Sequence, residues 1–500
     1  MEGADSGQQR PTKKLKWTFY HVTIFILTFM SYAFFHATRK TFSNVKDSLT
    51  QVWTPQCHNA TIRETKPDHI WNDHKMFANK DDAEYFLGAL DTAFMVAYAV
   101  GLYFSGPLGD RLNMRYVLSF GMCSSALLVF LFGTVTEWVQ FYNIYFYMAV
   151  WILNGLLQSS GWPTVVAIMG NWFGKSSRGV VFGIWSACAS VGNIIGTLLS
   201  AAVLPFGYEY PFLVTSAVLF AGGVVVFFGL IPSPREIGMP EADEEEEEDK
   251  TGAGVTTPLL VDEVNGDGPN TEDHKERAEA IGFIQAILLP GVIPYSLSYA
   301  CLKLVNYSFF FWLPFYLAVH FNWPDTTADD LSIWYDVGGI IAGIVGGLIS
   351  DIMKKRSPVV VFMLILALPS LFIYSKSPKD LYWNGFLMGV TGFFIGGPAN
   401  LISSAISADL GRQGPVQGNK EALATVAGIV DGTGSVGAAI GQILVPVIQV
   451  HTSWQWVFYF FIVMTALTVV CILPLLKNEI MSMRCCQQRR GALVVNVNPD

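Results

Sequence analysis

The chain has 500 residues, of which 52% are hydrophobic and only 14% are charged, and this composition excludes an ordinary soluble protein of this length. Its formal net charge is -9, but the run EADEEEEED (241–249) contributes eight of the acidic residues and the rest of the chain is about -1. The net charge therefore does not describe the surface of the protein, and no nucleic-acid partner is expected. Windows of about 20 apolar residues, enough for a helix to cross a bilayer, recur along the chain. We therefore predict an all-α polytopic membrane protein.

Twelve apolar windows are long enough to be membrane spans. They lie near 18–40, 85–107, 115–135, 142–169, 180–204, 211–231, 286–318, 332–351, 357–375, 382–408, 421–448 and 454–476. The first window follows a basic polar segment and has no small-residue cleavage site, so it is expected to be retained. The predicted organisation is an N-terminal tail (1–17), a six-helix half (18–231) with a loop at 45–84, an acidic disordered linker (232–283), a second half (284–476) and a C-terminal tail (477–500).

Basic residues cluster in alternate loops and before the first span. The positive-inside rule therefore places both termini in the cytosol and the loop 45–84 in the lumen, where Asn59 begins a glycosylation sequon. The sequon at Asn306 lies inside an apolar span, where glycosylation is not expected. Cys485 and Cys486 follow the last span, where they are either palmitoylated or unmodified thiols.

The two halves carry related loop segments. GPLGDRLNMR (106–115) follows the second span and GLISDIMKKR (347–356) follows the eighth, at an offset of 241 residues. A glycine lets two helices approach closely, and Asp110 is suited to cap a helix N-terminus. The repeat predicts two pseudo-symmetric six-helix halves with a midplane site between them. The predicted gating residues are Gly106, Asp110, Arg111, Arg115, Asp351 and Arg356.

These loop segments resemble the cytoplasmic loop motif of the major facilitator superfamily. RKTF (39–42), NGLLQSSGWPTVVAIMGNWFGKSSRG (154–179) and ISADLG (406–411) resemble its organophosphate/phosphate antiporter branch, which includes the vertebrate sugar-phosphate exchangers. The resemblance implies the major facilitator fold and an endomembrane location, either the endoplasmic reticulum or the lysosome. It also implies that the first span presents Arg39 to a central cavity.

Arg39 has two interpretations from its position in the first span. Hydropathy alone allows a side chain that reaches the membrane boundary as an anchor. The alternative, which the resemblance favours, is a cavity arginine, whose planar fork can hold two phosphate oxygens. Lys40 points about 100° away from Arg39 on a helix and is expected only to neutralise charge or reach the boundary.

Lys303 lies in the seventh span, which is pseudo-equivalent to the first. It either pairs with an intramembrane acid, for which Asp336, Asp409 and Asp431 are available, or acts as a second cation facing Arg39. The other substrate-binding candidates are polar or aromatic side chains that packing could equally explain. They are Tyr32, His36, Gln158, Trp162, Asn306 and Tyr307.

Departures from the family pattern concern the substrate. Bacterial glycerol-phosphate exchangers have an arginine where this chain has Asn306 and a lysine where it has Leu102. Related glucose-6-phosphate exchangers have a histidine where this chain has Cys188. Glucose-6-phosphate itself is therefore a doubtful substrate.

The predicted function is secondary transport of small organic phosphates or phosphonate-like anions by alternating access, with inorganic phosphate as the counter-substrate. The alternative is a transporter-fold interaction or sensing protein with an accessory membrane partner. An enzyme is not expected, because the sequence has no nucleophile–base pair, metal-ligand set or phosphate-binding glycine loop. No cofactor, metal or proton-relay cluster is predicted, and the expected partners are the small anion and membrane lipids.

Overall fold

A computed structural model describes residues 18–54, 76–174, 178–240, 279–323, 325–413 and 420–495 of the chain. Two predictions concern residues outside these ranges. Asn59 is one, and most of the predicted disordered linker is the other, since only 232–240 and 279–283 of it are described. The side chains of Cys485 and Cys486 are likewise outside the described part of the chain.

The first half is built of helices. Its helices are α1 (Phe19–Asn44), α2 (Lys46–Trp53), α3 (Lys80–Arg111), α4 (Met114–Phe130, continued through a π-helical turn at Leu131–Val135 to Trp138), α5 (Ile144–Gln158), α6 (Gly161–Trp172), α7 (Arg178–Trp185), α8 (Cys188–Val203, followed by a 3-10 turn at Leu204–Phe206) and α9 (Glu209–Gly229). A 3-10 turn at Pro234–Ile237 follows α9.

The second half repeats this architecture. Its helices are α10 (Phe283–Ile287), α11 (Val292–Phe321), α12 (Asp325–Met353), α13 (Ser357–Tyr374), α14 (Leu381–Leu401, continued through a π-helical turn at Ile402–Ile406 to Gly411), α15 (Leu423–His451) and α16 (Trp454–Val495). Two short strands, β1 (Glu279–Ala280) and β2 (Lys420–Glu421), pair in parallel just before α10 and α15.

The twelve predicted spans have counterparts in this architecture. Ten helical segments of the described chain are long and apolar enough to cross a membrane. The fourth span is formed by α5 and α6, which a two-residue turn separates, and the seventh is the 30-residue α11. The all-α prediction with two six-helix halves is confirmed.

Two helices differ from the sequence prediction. Helix α16 continues to Val495, although the apolar window ends near 476, because hydropathy measures what enters the membrane and a helix can continue into water. Helix α2 lies within the predicted loop 45–84.

Asparagine and aspartate side chains set several helix starts. Asn79, Asn113, Asn143 and Asp380 each accept a backbone N–H from the first turn of the following helix. Such caps satisfy amide groups that have no partner within the helix. These starts place α3, α4, α5 and α14 where the apolar windows predict them.

The halves meet where the second span of each packs against the fifth span of the other. These pairs are α3 with α15 and α7 with α12. Glycine permits the close approach at both seams, since a Cβ on Gly106 would lie 2.7 Å from the carbonyl oxygen of Ala424. Gly183 and Gly343 make the corresponding contact between α7 and α12. The second half has an apolar core of its own, whereas the core that includes α6 of the first half also contains second-half residues such as Ala405 and Leu423.

One end of the bundle, here called the basic face, carries the start of α1 and the ends of α3 and α12. Aspartates cap helix starts of the other half there. The Asp110 carboxylate accepts the N–H groups of Ala424 (2.9 Å) and Thr425 (2.7 Å), at the start of α15. Asp351 accepts the N–H of Val180 at 2.7 Å, at the start of α7. These contacts hold the halves together at the basic face.

Candidate functional site

A central cavity of about 120 Å³ lies between the two halves. Its walls come from α1, α3, α5, α6, α8 and the turn before α8 in the first half, and from α11, α12, α14 and α15 in the second. Asp91, near the start of α3, and Leu313, near the end of α11, line the end of the cavity farther from the basic face. The cavity therefore extends from the middle of the bundle toward the opposite face.

Arg39 reaches this cavity from α1. Its Nε donates a 2.6 Å hydrogen bond to the Gln158 side-chain oxygen, while Nη1 and Nη2 are buried and make no hydrogen bond with the described residues. Burying a charged donor without a partner is costly, so such a group at a cavity inside a helical bundle points to a ligand. Arg39 lies at the central cavity between the two halves, which the anchor interpretation does not predict.

Gln158 lies behind Arg39 and does not line the cavity. Its side-chain nitrogen donates to Ser125 Oγ at 3.1 Å and to Thr38 Oγ1 at 3.3 Å, which fixes the orientation of the amide. With its oxygen on Arg39 Nε, the amide fixes one edge of the guanidinium and makes no hydrogen bond to either Nη atom. Gln158 therefore positions Arg39, although the sequence predicts a direct ligand at this residue.

Aromatic rings of α3 surround the guanidinium. Its Cζ lies 4.4 Å from the Tyr98 ring centroid and 5.7 Å from that of Phe94. The negative face of an aromatic ring attracts a cation without neutralising it. The rings therefore offset part of the cost of the buried charge and leave the Nη donors available.

Lys303 forms an ion pair, which is one of the two alternatives that the sequence leaves open. Its Nζ lies 2.7 Å from Asp431 Oδ1 and 2.8 Å from Ser435 Oγ, and its side chain is only 2% exposed. Lys303 does not line the cavity, whereas Asp431 does. The Tyr98 ring lies between the two cations, 5.7 Å from Lys303 Nζ.

Lys40 lines the cavity, which the sequence analysis does not predict. Its Nζ lies 5.1 Å from the Phe310 ring centroid, and it is close enough to Asp336 for their opposite charges to attract. Asp336 also accepts a 2.8 Å hydrogen bond from Ser190 Oγ. Because Ser190 is on α8 and Asp336 on α12, this bond joins the two halves beside the cavity.

His36 lines the cavity one turn before Arg39. Its Nδ1 lies 3.1 Å from the Asn193 side-chain oxygen, which can only accept, so Nδ1 carries the proton. Nε2 is then an acceptor, and it is buried without a partner among the described residues. Such an atom suits a hydroxyl group of a ligand.

The remaining predicted ligands line the cavity as packed side chains. The Trp162 indole N–H donates to the Ser403 carbonyl oxygen at 3.1 Å, at the π-helical turn of α14, so only the ring is available to a ligand. Tyr32 packs against Trp162 with the ring planes tilted by 50° and the centroids 4.5 Å apart. The Asn306 side-chain oxygen accepts from the Tyr335 hydroxyl at 2.7 Å, and Tyr307 packs beside Phe310.

The predicted gating residues lie at or near the basic face. Arg356 binds Asp351 at 2.6 Å and Asp409 at 3.0 Å, and Arg115 pairs with Glu236 at 3.2 Å. Arg111 is exposed at the end of α3. These ion pairs do not cross between the halves, whereas the caps made by Asp110 and Asp351 do. The gating role of the whole set stays a prediction.

Sequence reasoning missed several cavity residues. Phe94 lines the cavity and Tyr98 contacts Arg39 without lining it, and neither has a distinguishing signal in an aromatic-rich chain. Asn193 and Ser190 are ordinary polar residues of a span. Asp336 and Asp431 were considered only as counter-ions, although charged residues in apolar spans are a signal for a cavity. Among the described residues, no three His, Cys, Asp or Glu side chains come together as metal ligands would.

Comparison with known proteins adds a family to this geometry. The sequence profile of the Major Facilitator Superfamily matches residues 77–418. The chain is 59% identical to sugar phosphate exchanger 3 of Gallus gallus, over 93% of each chain. It is 39% identical to the glucose-6-phosphate exchanger SLC37A2 of Danio rerio, again over 93% of each chain. The resemblance to sugar-phosphate exchangers is confirmed.

A solved structure agrees with the fold. The human organic anion transporter MFSD10 superposes with a TM-score of 0.64, covering 90% of this chain and 99% of that chain. Its sequence identity is 13%, so the likeness concerns the fold alone.

Proposed function

Because the chain belongs to the Major Facilitator Superfamily, we propose that it carries small organic phosphates or phosphonate-like anions by alternating access. The family indicates a multi-pass membrane transporter and not an enzyme. The observation that carries the substrate proposal is the Arg39 guanidinium, whose two Nη atoms are buried in the central cavity without a hydrogen-bond partner among the described residues. A phosphate or phosphonate group binds such a fork through two oxygens.

The cavity walls suit the rest of such a solute. Lys40 lies in the cavity wall together with Asp336, which attracts its charge, and His36 Nε2 accepts a hydrogen bond from a substrate hydroxyl. The cavity volume of about 120 Å³ is below the range of about 300–1,000 Å³ typical of sites for drug-sized ligands. A short phosphate ester therefore fits this conformation better than a nucleotide. Cys188, which stands where related glucose-6-phosphate exchangers have a histidine, is fully buried and does not line the cavity.

The unpaired arginine also supports obligatory exchange. The halves must close around the cavity before it can open on the other side, and closing an empty site leaves Arg39 desolvated without a counter-charge. A bound anion removes that cost, so the loaded protein interconverts faster than the empty one. Inorganic phosphate carries the same recognised group and serves as the counter-substrate. The same cavity favours transport over the interaction or sensing alternative.

The orientation of the cycle follows from the charge of the loops. The basic face is placed in the cytosol by the positive-inside rule, so this conformation directs the cavity toward the lumen of an endomembrane, the endoplasmic reticulum or the lysosome. Uptake into the cytosol then requires the Asp110 and Asp351 caps to break, since both join the halves at that face. An accessory membrane protein is an additional expected partner.

Counterflow in proteoliposomes tests the proposal. With inorganic phosphate inside and labelled glycerol phosphate outside, the wild type should accumulate label. Arg39→Ala should reduce accumulation by about thirtyfold or more, the loss expected when a charged binding partner is truncated. Arg235→Ala is the matched control, since Arg235 is exposed beyond α9 and remote from the cavity. Lack of accumulation by the wild type across a panel of organic phosphates and phosphonates would contradict the proposal.

A further inference from the structure

A second cavity, here called the lateral groove, lies on the membrane-facing side of the seam between the halves. Its volume is about 870 Å³, and none of the described residues lines both it and the central cavity. One wall is the second half of α3, and the other is formed by α10, the start of α11 and part of α15. The lateral groove is therefore bounded by both halves of the protein.

The walls of the lateral groove are mostly apolar and open to the surrounding lipid. Phe104 of α3 is 73% exposed and Leu297 of α11 is 52% exposed, and both line it. Helix α10 closes one side through Phe283 and Ile287. Exposed side chains of α10 and its end, Ile284 and Leu288, extend this apolar surface. An acyl chain is the ligand that such a surface accepts in a bilayer.

Polar groups lie at the basic-face end of the same groove. Arg111, at the end of α3, is exposed and lines the groove. Ser296 lies one helical turn into α11, is 4% exposed, and its hydroxyl has no hydrogen-bond partner among the described residues. A charged group, then a hydroxyl, then an apolar channel is the order in which a phospholipid presents its phosphate, its ester groups and its chains.

We propose that the lateral groove binds an anionic phospholipid from the surrounding bilayer. One acyl chain lies between α3 and α11, an ester carbonyl accepts a hydrogen bond from the Ser296 hydroxyl, and the headgroup phosphate lies beside Arg111. Basic residues between membrane helices attract anionic headgroups, whereas a sterol has no charge to offer. This site is spatially distinct from the small-anion site, because the two cavities share no lining residue.

The position of the lateral groove gives the lipid a conformational effect. Within its wall, the hydroxyl groups of Tyr103 on α3 and Thr433 on α15 are 3.0 Å apart and join the two halves. A ligand that contacts both halves here stabilises the conformation in which they meet at the basic face. Lipid composition should therefore shift the balance between the two orientations of the cavity.

Lipid retention by the purified full-length protein tests the site. Native mass spectrometry in detergent should show preferential binding of phosphatidylserine over phosphatidylcholine with the same chains. Leu297→Trp fills the groove and should reduce bound phosphatidylserine, whereas Leu467→Trp, at a lipid-exposed leucine of α16 outside the groove, should not. Arg111→Gln should weaken binding of phosphatidylserine by about fivefold and remove the headgroup preference.

Three results would overturn the proposal. They are equal retention of the two phospholipids by the wild type, equal loss of lipid in the two tryptophan variants, and stronger retention of cholesterol than of phosphatidylserine. If Arg111→Gln does not fold, the tryptophan pair still decides the outcome. Transport is not part of the measurement, so its result does not depend on the small-anion proposal.

Discussion

Arg39 and Lys303 occupy related places in the molecule and have opposite surroundings. Each is a basic residue inside an apolar span, on the first membrane-spanning helix of its half. Lys303 is held by Asp431 and Ser435, at 2.7 and 2.8 Å. Arg39 has one hydrogen bond, from Nε to Gln158, and two Nη atoms without a partner among the described residues.

This difference separates a structural cation from a binding cation. A buried ion pair needs no ligand, and removing one partner leaves the other charge uncompensated. A guanidinium with available donors has its counter-charge supplied from outside the protein. A basic residue inside an apolar span can therefore be either a structural or a binding cation. For Lys303 the partner that decides this, Asp431, is 128 residues away in the chain.

The largest expected effect is on stability and concerns the paired cation. Asp431→Asn leaves Lys303 buried without its counter-charge and should destabilise the protein by about 3–5 kcal/mol. Arg39→Met removes a charge that has no protein counter-ion and should not lower the melting temperature. Thermal unfolding in detergent measures both variants.

A double variant sharpens the stability comparison. Lys303→Met combined with Asp431→Asn removes both charges, so it should recover most of the stability that Asp431→Asn loses. A double variant no more stable than Asp431→Asn would show that the carboxylate supports the fold through contacts other than Lys303.

The next effect is on transport and concerns the shape of the binding cation. Arg39→Lys keeps the charge but replaces a planar fork by a point charge, which cannot hold two phosphate oxygens at fixed spacing. Counterflow should fall by about tenfold, the equivalent of one hydrogen bond to a charged group. Wild-type activity in Arg39→Lys would show that charge alone suffices.

A smaller effect on transport is expected from Gln158, which positions Arg39. Gln158→Ala removes the bond to Arg39 Nε and should reduce counterflow by about fivefold, because the guanidinium is no longer fixed. The concentration of substrate at half-maximal rate should rise, since the ligand must then order the side chain. Asn384→Ala is a suitable comparison, since Asn384 is a buried amide near the start of α14 that does not line the cavity. A similar loss in both variants would indicate a general packing defect.

The smallest predicted effect concerns the bond between the halves. Ser190→Ala removes the hydrogen bond to Asp336. The equilibrium between the two orientations of the central cavity should then shift away from the conformation described here by about threefold. Labelling of a cysteine introduced at the cavity, in membranes with intact orientation, measures that balance. Unchanged labelling would place Ser190 outside the conformational switch.

The fold was largely predictable because it follows from local properties of the chain. A segment that crosses a bilayer must satisfy its backbone hydrogen bonds internally, so an apolar window of sufficient length becomes a helix. The repeat of GPLGDRLNMR in GLISDIMKKR was enough to predict two related halves. The extension of α16 to Val495 was not predictable from hydropathy, because hydropathy identifies apolar segments and gives no signal for a polar helix in water.

The candidate site was predictable only in part. Arg39 was identified by its charge in an apolar span together with the family resemblance, and the structure places it in the cavity. Gln158 was identified as a ligand but lies behind Arg39. The sequence predicts no ligand role for Lys40, which points away from Arg39 on α1, yet Lys40 lines the cavity beside Phe310 of the opposite half.

The sequence by itself determined the membrane-spanning architecture, its internal repeat and the presence of rare intramembrane charges, because hydrophobicity and charge are properties of each segment. Tertiary structure alone decided which charge is neutralised and which is available, because pairing depends on side chains brought together from distant helices. Asp431 reaches Lys303 and no described acid forms an ion pair with Arg39. That asymmetry, set by how two similar halves pack, gives one cation a structural role and leaves the other for a ligand.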